Sequence, residues 1–191
     1  VFIALHPPVI METLEKISKI VAEDAVVISL APKITIEKIS SKLTTKNIVR
    51  MIPNATSYIN KGFNPIAFNN EMSEADMKQI LKLMKKLGKT FISEESKMEA
   101  YALTSGMLPT YFLFQFREIE KIAQRCGLTE KEAKKTIKST MKRALKLYYG
   151  SELKHDEVLD LIPVKPIADS ESVITEIYQS KLMGLYEKIK P

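Results

Sequence analysis

The chain has 191 residues, 45% of them hydrophobic and 27% charged, the ordinary mix of a folded globular protein and not of a disordered or low-complexity one. No run approaches the roughly 18 apolar residues of a bilayer-crossing helix, no export signal is legible, and the single Cys126 has no second thiol with which to form a disulfide or share a metal; the expected setting is cytoplasmic. The formal charge of +6 raises an anionic partner such as nucleic acid, but Lys134, Lys138, Lys142 and Lys146 recur every four residues on one face of a predicted helix, opposite Ile137, Met141, Ala144, Leu145 and Tyr148, with no aromatics interleaved, so they read as a solvated stripe.

Residues 1–5 (VFIAL) form a continuous apolar run ended by His6, Pro7 and Pro8, which reads as a fully buried central strand and implies neighbours supplied by polypeptide upstream of Val1. A helix is predicted over 9–22, with Ile10, Leu14, Ile17 and Val21 on one face, and a second buried strand over 25–30. The pattern repeats as a helix over 34–43, a strand over 47–52 and a turn at Pro53 and Asn54. Strands alternating with helices predict a mostly parallel sheet. A further strand is expected over 64–68, then a helix capped by Ser73 and stopped by Gly88, with Met77, Ile80, Leu81, Met84 and Leu87 facing the core. After a short strand over 89–92 only helical pattern follows, which places a domain boundary near 93–96 and divides the chain into 1–95 and 96–191. The helical part is read as 98–126, broken or kinked at Pro109; 129–149, opened by a Thr129/Glu132 capping box; and 170–189. In the last helix Ile174, Ile177, Tyr178, Leu182, Leu185 and Ile189 share one stripe, suited to other helices or a second subunit.

A sheet of this type binds its ligand at the C-terminal ends of its strands, which makes the loops at His6–Pro8, Ala31–Lys33 and Pro53–Thr56 the candidate cofactor edge. The G-x-G-x-x-G that lets a backbone approach a pyrophosphate is absent, since no two of the six glycines are close enough to build it. These 191 residues are therefore expected to grip a dinucleotide weakly.

At these loops the sequence resembles the pyrroline-5-carboxylate reductase family. The resemblance rests on FIALHPPVI at Phe2 to Ile10, VVISLAP at Val26 to Pro32, VRMIPN at Val49 to Asn54, Ser105-Gly106 with Pro109-Thr110-Tyr111, and the helical tail. It implies a Rossmann-type domain that binds NADPH or NADH, followed by an all-helical domain that makes a homodimer and completes the active site. The activity implied is an oxidoreductase of proline biosynthesis that delivers hydride to the C=N carbon of a small cyclic imino acid. By carry-over His6, Pro7, Ala31, Pro32 and Asn54 line the ribose and nicotinamide end of the cofactor. His6 stands where the family has lysine, and its other reading is a strand-end residue held by the prolines. Asn54 reads equally as a turn residue that satisfies its own backbone.

On the substrate side the family's Ser-Gly-Ser-Gly-Pro-Ala-Tyr becomes Ser105, Gly106, Met107, Leu108, Pro109, Thr110 and Tyr111, so two small positions are bulky. The family's Ser-Pro-Gly-Gly-x-Thr loop, whose backbone N–H groups hold the substrate carboxylate, becomes Lys165, Pro166, Ile167, Ala168, Asp169 and Ser170, with both glycines lost. Ser105, Gly106, Ala168 and Asp169 are the substrate-binding candidates. Ser170 is the catalytic candidate, a hydroxyl donor in place of the family's Thr; Asp169 or Ser170 is equally an expected cap for the last helix. Tyr111 reads as core beside Phe112, Phe114 and Phe116, and His155 as structural, without an orienting partner nearby in sequence. Three functions stay open: a reductase for an imine other than pyrroline-5-carboxylate, a homologue that has lost catalysis and binds or regulates, and a β-hydroxyacid-type dehydrogenase, for which Lys97 is the candidate catalytic lysine.

Overall fold

The computed structural model describes Val1–Pro191. Its elements, in chain order, are β1 (Phe2–Ile3), α1 (Pro7–Ile17), β2 (Val27–Ser29), α2 (Ile36–Ser40), β3 (Ile48–Met51), β4 (Gly62–Phe68), α3 (Glu74–Met84), β5 (Gly88–Ile92), α4 (Met98–Tyr101), α5 (Leu108–Arg125), α6 (Glu130–Gly150), α7 (His155–Asp160) and α8 (Glu171–Ile189). The expected α/β part followed by an all-α part is what forms. Two compact units divide it, Val1–Pro109 with Ser180–Pro191, and Thr110–Gln179. No helix is long and apolar enough to cross a membrane.

The first unit is a five-stranded sheet in the order β1-β2-β3-β4-β5, parallel at every pairing except β3 with β4. Successive side chains of a strand point to opposite faces, so Val27 and Ile48 enter one core with Ile10, Leu14 and Ile39 of α1 and α2, while Ile28, Val49 and Met51 enter another with Ile80 and Met84 of α3. Helices thus cover both faces, the requirement that makes parallel strands apolar throughout. Burying a side chain such as Ile10 or Leu14 stabilises by roughly 1.5–3 kcal/mol. A third cluster joins Ile52, Ala67, Met98 and Ala102 to Ile189, so the end of α8 belongs to this unit.

VFIAL contributes the two-residue strand β1 at the end of the sheet, paired on its β2 side alone, with Ile3 buried and Val1, Phe2 and Leu5 exposed. The sheet is mostly parallel, as expected, and its one antiparallel pairing arises because β3 and β4 are joined by a short single-turn connection at Ala55–Ile59 without a crossover helix. One local expectation is corrected. The helix break near Pro109 is a wide π-type turn at Ala102–Gly106 between α4 and α5, and Pro109 lies in the first turn of α5, where its missing N–H costs nothing. Ser73, Gly88 and the Thr129/Glu132 capping box do what their types predict.

Candidate active site

Because β1, β2 and β3 run parallel, the residues that follow them share one edge of the sheet. His6 leads directly into α1; its backbone is extended, its side chain is exposed and makes no cap hydrogen bond, and Pro7 and Pro8 form the first turn. Ala31 is buried and its N–H reaches Ser29 Oγ at 3.5 Å, Pro32 is half-buried, and Lys33 takes a left-handed backbone with φ 73°. Asn54 spends its Oδ1 on the turn after β3, accepting from Thr56 N at 3.1 Å and Thr56 Oγ1 at 2.6 Å. Its Nδ2 donates to Ser105 Oγ at 3.3 Å, and Ser105 Oγ donates to the Phe63 carbonyl at 2.6 Å. One cofactor candidate and one substrate candidate, 51 positions apart, are therefore hydrogen-bonded.

Gly106 sits in the same wide turn, pressed against the end of β3. A Cβ there would meet Ile52 Cγ2 at 3.2 Å, so only glycine lets the turn lie this close without displacing that side chain. Of the two bulky departures, Met107 packs onto the cluster of Ile52, Ala67, Met98 and Ala102, while Leu108 is exposed. A cleft of about 830 Å³ opens elsewhere, beside the ends of β4 and β5, lined by Asn69, Asn70, Ile92 and Glu95 among others, and holds none of the expected site residues.

Sequence reasoning missed a buried charge network behind this edge. Arg50, in the middle of β3, is fully buried, and its two terminal nitrogens donate to Glu95 Oε1 at 3.0 Å and Glu99 Oε1 at 2.6 Å. The same carboxylate oxygens accept backbone N–H groups from the segment after β2, Glu99 from Lys33 at 2.9 Å and Glu95 from Ile36 at 2.7 Å. The legible signal was an arginine inside the apolar strand NIVRMI, since a guanidinium there must be paired; its partners come from two consecutive short elements, Glu95 from the single turn Glu95–Lys97 and Glu99 from α4.

In the second unit Ala168, Asp169 and Ser170 form one tight turn ahead of α8, all exposed. The Ser170 N–H donates to the Ile167 carbonyl at 3.0 Å and its hydroxyl lies 3.4 Å from Asp169 Oδ1. His155 does have a side-chain partner, contrary to expectation: its Nδ1 lies 3.0 Å from the Tyr148 hydroxyl, with the rings edge to face at 5.5 Å. The signal was hidden because Tyr148 is seven residues back, across the turn between α6 and α7. Tyr111 is half-buried and edge-on to Tyr178 at 6.2 Å, and burial, with Tyr178 second, raises its phenol above the ordinary range. In the first unit Lys97 is exposed and held by Glu94 at 2.6 Å, whose hydrogen bond and charge raise the ammonium's pKa.

No family model matches the chain. It is 26% identical over 149 residues to the pyrroline-5-carboxylate reductase of Haemophilus influenzae, a match covering 77% of this chain and 55% of that protein. It is 28% identical over 142 residues to pyrroline-5-carboxylate reductase 2 of Bacillus subtilis, covering 74% and 51%. The chain thus spans about half the length of the curated relatives it matches. Among solved structures, the Plasmodium falciparum pyrroline carboxylate reductase with NADP bound superposes with TM-score 0.79 at 19% identity over 98% of this chain and 77% of that one. The pyrroline-5-carboxylate reductase of Coxiella burnetii gives 0.65 at 25% identity over 99% and 71%. In sequence and in fold, a Rossmann-like sheet followed by helices, the chain is similar to the pyrroline-5-carboxylate reductases.

Proposed function

We propose that this chain is the greater part of an NAD(P)H-dependent reductase that transfers hydride to the C=N carbon of a small cyclic imino acid. The observation that carries the reading is the Asn54–Ser105 hydrogen bond, which ties the end of the third parallel strand to the Ser-Gly turn. The strand ends suit the ribose and nicotinamide half of a dinucleotide: the prolines Pro7 and Pro32 offer apolar surface for a ring, and the backbone around buried Ala31 and around Asn54 offers groups for hydroxyls and an amide. It does not suit a pyrophosphate, for which no glycine turn is present. The nicotinamide, when bound, supplies the hydride. His6, Pro7, Ala31, Pro32 and Asn54 orient it, and Ser105 and Gly106 shape the substrate side. For the second unit the resemblance alone assigns the roles: the Ala168–Asp169 backbone to a substrate carboxylate, and the Ser170 hydroxyl to a hydrogen bond with the imine nitrogen, where charge develops as hydride arrives.

Residues 1–95 are read as the later part of the cofactor domain and 96–191 as the substrate and dimerisation domain. Exposed Phe2 on β1, with exposed Val1 and Leu5 beside it, supports the former, since a native sheet seldom leaves an apolar edge bare. A homodimer is supported by the second unit, in which Ala133 alone is buried while Phe112, Leu113, Phe114, Ile119 and Ile122 of α5 stand exposed; a helical unit of 70 residues with so little interior needs a covering surface, and a second copy supplies it.

The deciding experiment assays the full-length protein with NADPH and NADH against pyrroline-5-carboxylate and other cyclic imines, with Ser170→Ala alongside. Turnover is expected, reduced on the order of a hundredfold in the variant. Unchanged turnover removes Ser170 from the mechanism, and none in the unaltered protein favours a binding or regulatory homologue. Light scattering is expected to give a dimer mass, and a monomer at moderate concentration overturns that part.

A further inference from the structure

Lys33 is one of two non-glycine residues with a positive φ, at 73°, and it follows directly on Ala31 and Pro32. A side chain in the left-handed region costs free energy unless its surroundings hold it there. Here they do: the Lys33 N–H is taken by Glu99 Oε1 at 2.9 Å, and three residues on the Ile36 N–H is taken by Glu95 Oε1 at 2.7 Å. Both carboxylates are fixed in turn by Arg50, which is fully buried, as Glu99 nearly is at 2% exposure. The Arg50 Nε has no partner, so the guanidinium's hydrogen bonding is committed to these two glutamates. The Lys33 side chain adds only an exposed bond to the Lys188 carbonyl at 3.2 Å.

We propose that Glu99 is a positioning residue, which, held by Arg50, fixes the left-handed turn at Lys33 and so sets the backbone of Ala31 and Pro32 at the cofactor edge. The proposal rests on the nicotinamide reading for its consequence, but not for its geometry. A turn without its clamp leaves the left-handed state, and apparent cofactor affinity falls in proportion to the binding-competent fraction. Glycine adopts positive φ freely, so it is the substitution that makes the clamp unnecessary.

The test uses the full-length protein with Glu99→Leu, which removes the acceptor, Lys33→Gly and the double variant, measuring NADPH affinity by fluorescence, kcat and KM separately, melting temperature, and amide hydrogen exchange at Lys33 and Ile36. Glu99→Leu is expected to weaken NADPH binding about tenfold and raise the cofactor KM more than it lowers kcat. Adding Lys33→Gly is expected to restore the affinity to within about twofold while the melting temperature stays low, because Arg50 has lost one of its two carboxylate partners and keeps Glu95 alone. Restored melting temperature without restored affinity, or affinity unmoved by Glu99→Leu, overturns the proposal. If the unaltered protein binds no NADPH, the nicotinamide reading fails by itself, and exchange then decides the clamp: protection at Lys33 lost in Glu99→Leu supports it, and protection kept overturns it.

Discussion

The sheet unit and the helical unit bury their residues in opposite ways. Up to Pro109 the chain packs three apolar clusters, two of them on opposite faces of one sheet, and encloses an arginine with its counter-charges; from Thr110 to Gln179 it encloses Ala133 and leaves long apolar stripes in solvent. The amphipathic periodicity of α5 and α6 is as regular as that of α1 and α3, so periodicity alone does not say whether a face is covered within the same chain. A hydrophobic stripe specifies that something must cover it and not what.

The contrast is sharpest at Arg50. Arg50→Leu leaves two carboxylates without their cation and is expected to cost about 3–5 kcal/mol in urea denaturation. A loss below about 1 kcal/mol would mean that the charges are solvated and that this unit is no better enclosed than the helices. Next come matched truncations. Leu14→Ala in the first core is expected to lower stability by about 2–5 kcal/mol at any protein concentration. Phe114→Ala, 67% exposed within one chain, is expected to make melting depend more steeply on protein concentration if a second copy covers it, and to stay within about 0.5 kcal/mol if nothing does.

Smaller effects probe the helical unit alone. Thr129→Ala removes the hydroxyl that accepts from Glu132 N at 3.3 Å and is expected to cost about 1 kcal/mol of α6 stability, read by thermal circular dichroism. Tyr111 gives the smallest. Its phenol is raised above the ordinary 10.0 by burial, so the neutral form is favoured in the folded state. That contribution is fully present below pH 10.0 and is lost as pH rises through the raised value. Tyr111→Phe is expected to remove one component from the alkaline ultraviolet titration and to flatten the alkaline fall in stability; an unchanged profile means that Tyr111 titrates like an exposed phenol.

Strand and helix positions, the caps at Ser73 and Thr129 and the apolar faces of α1 and α3 were legible in the sequence, because each follows from a local period or a local backbone need. The resemblance gave Asn54 and Ser105 separate roles, and their hydrogen bond was decided by the tertiary structure, since residues 51 apart leave no periodic trace of their contact. The edge position of β1, the antiparallel β4 and the clamp of Glu99 on Lys33 were decided by the tertiary structure. Strand pairing and buried charge pairing are set by which segments meet across the sheet, and an apolar run or an isolated charge states the need for a partner without stating which one satisfies it.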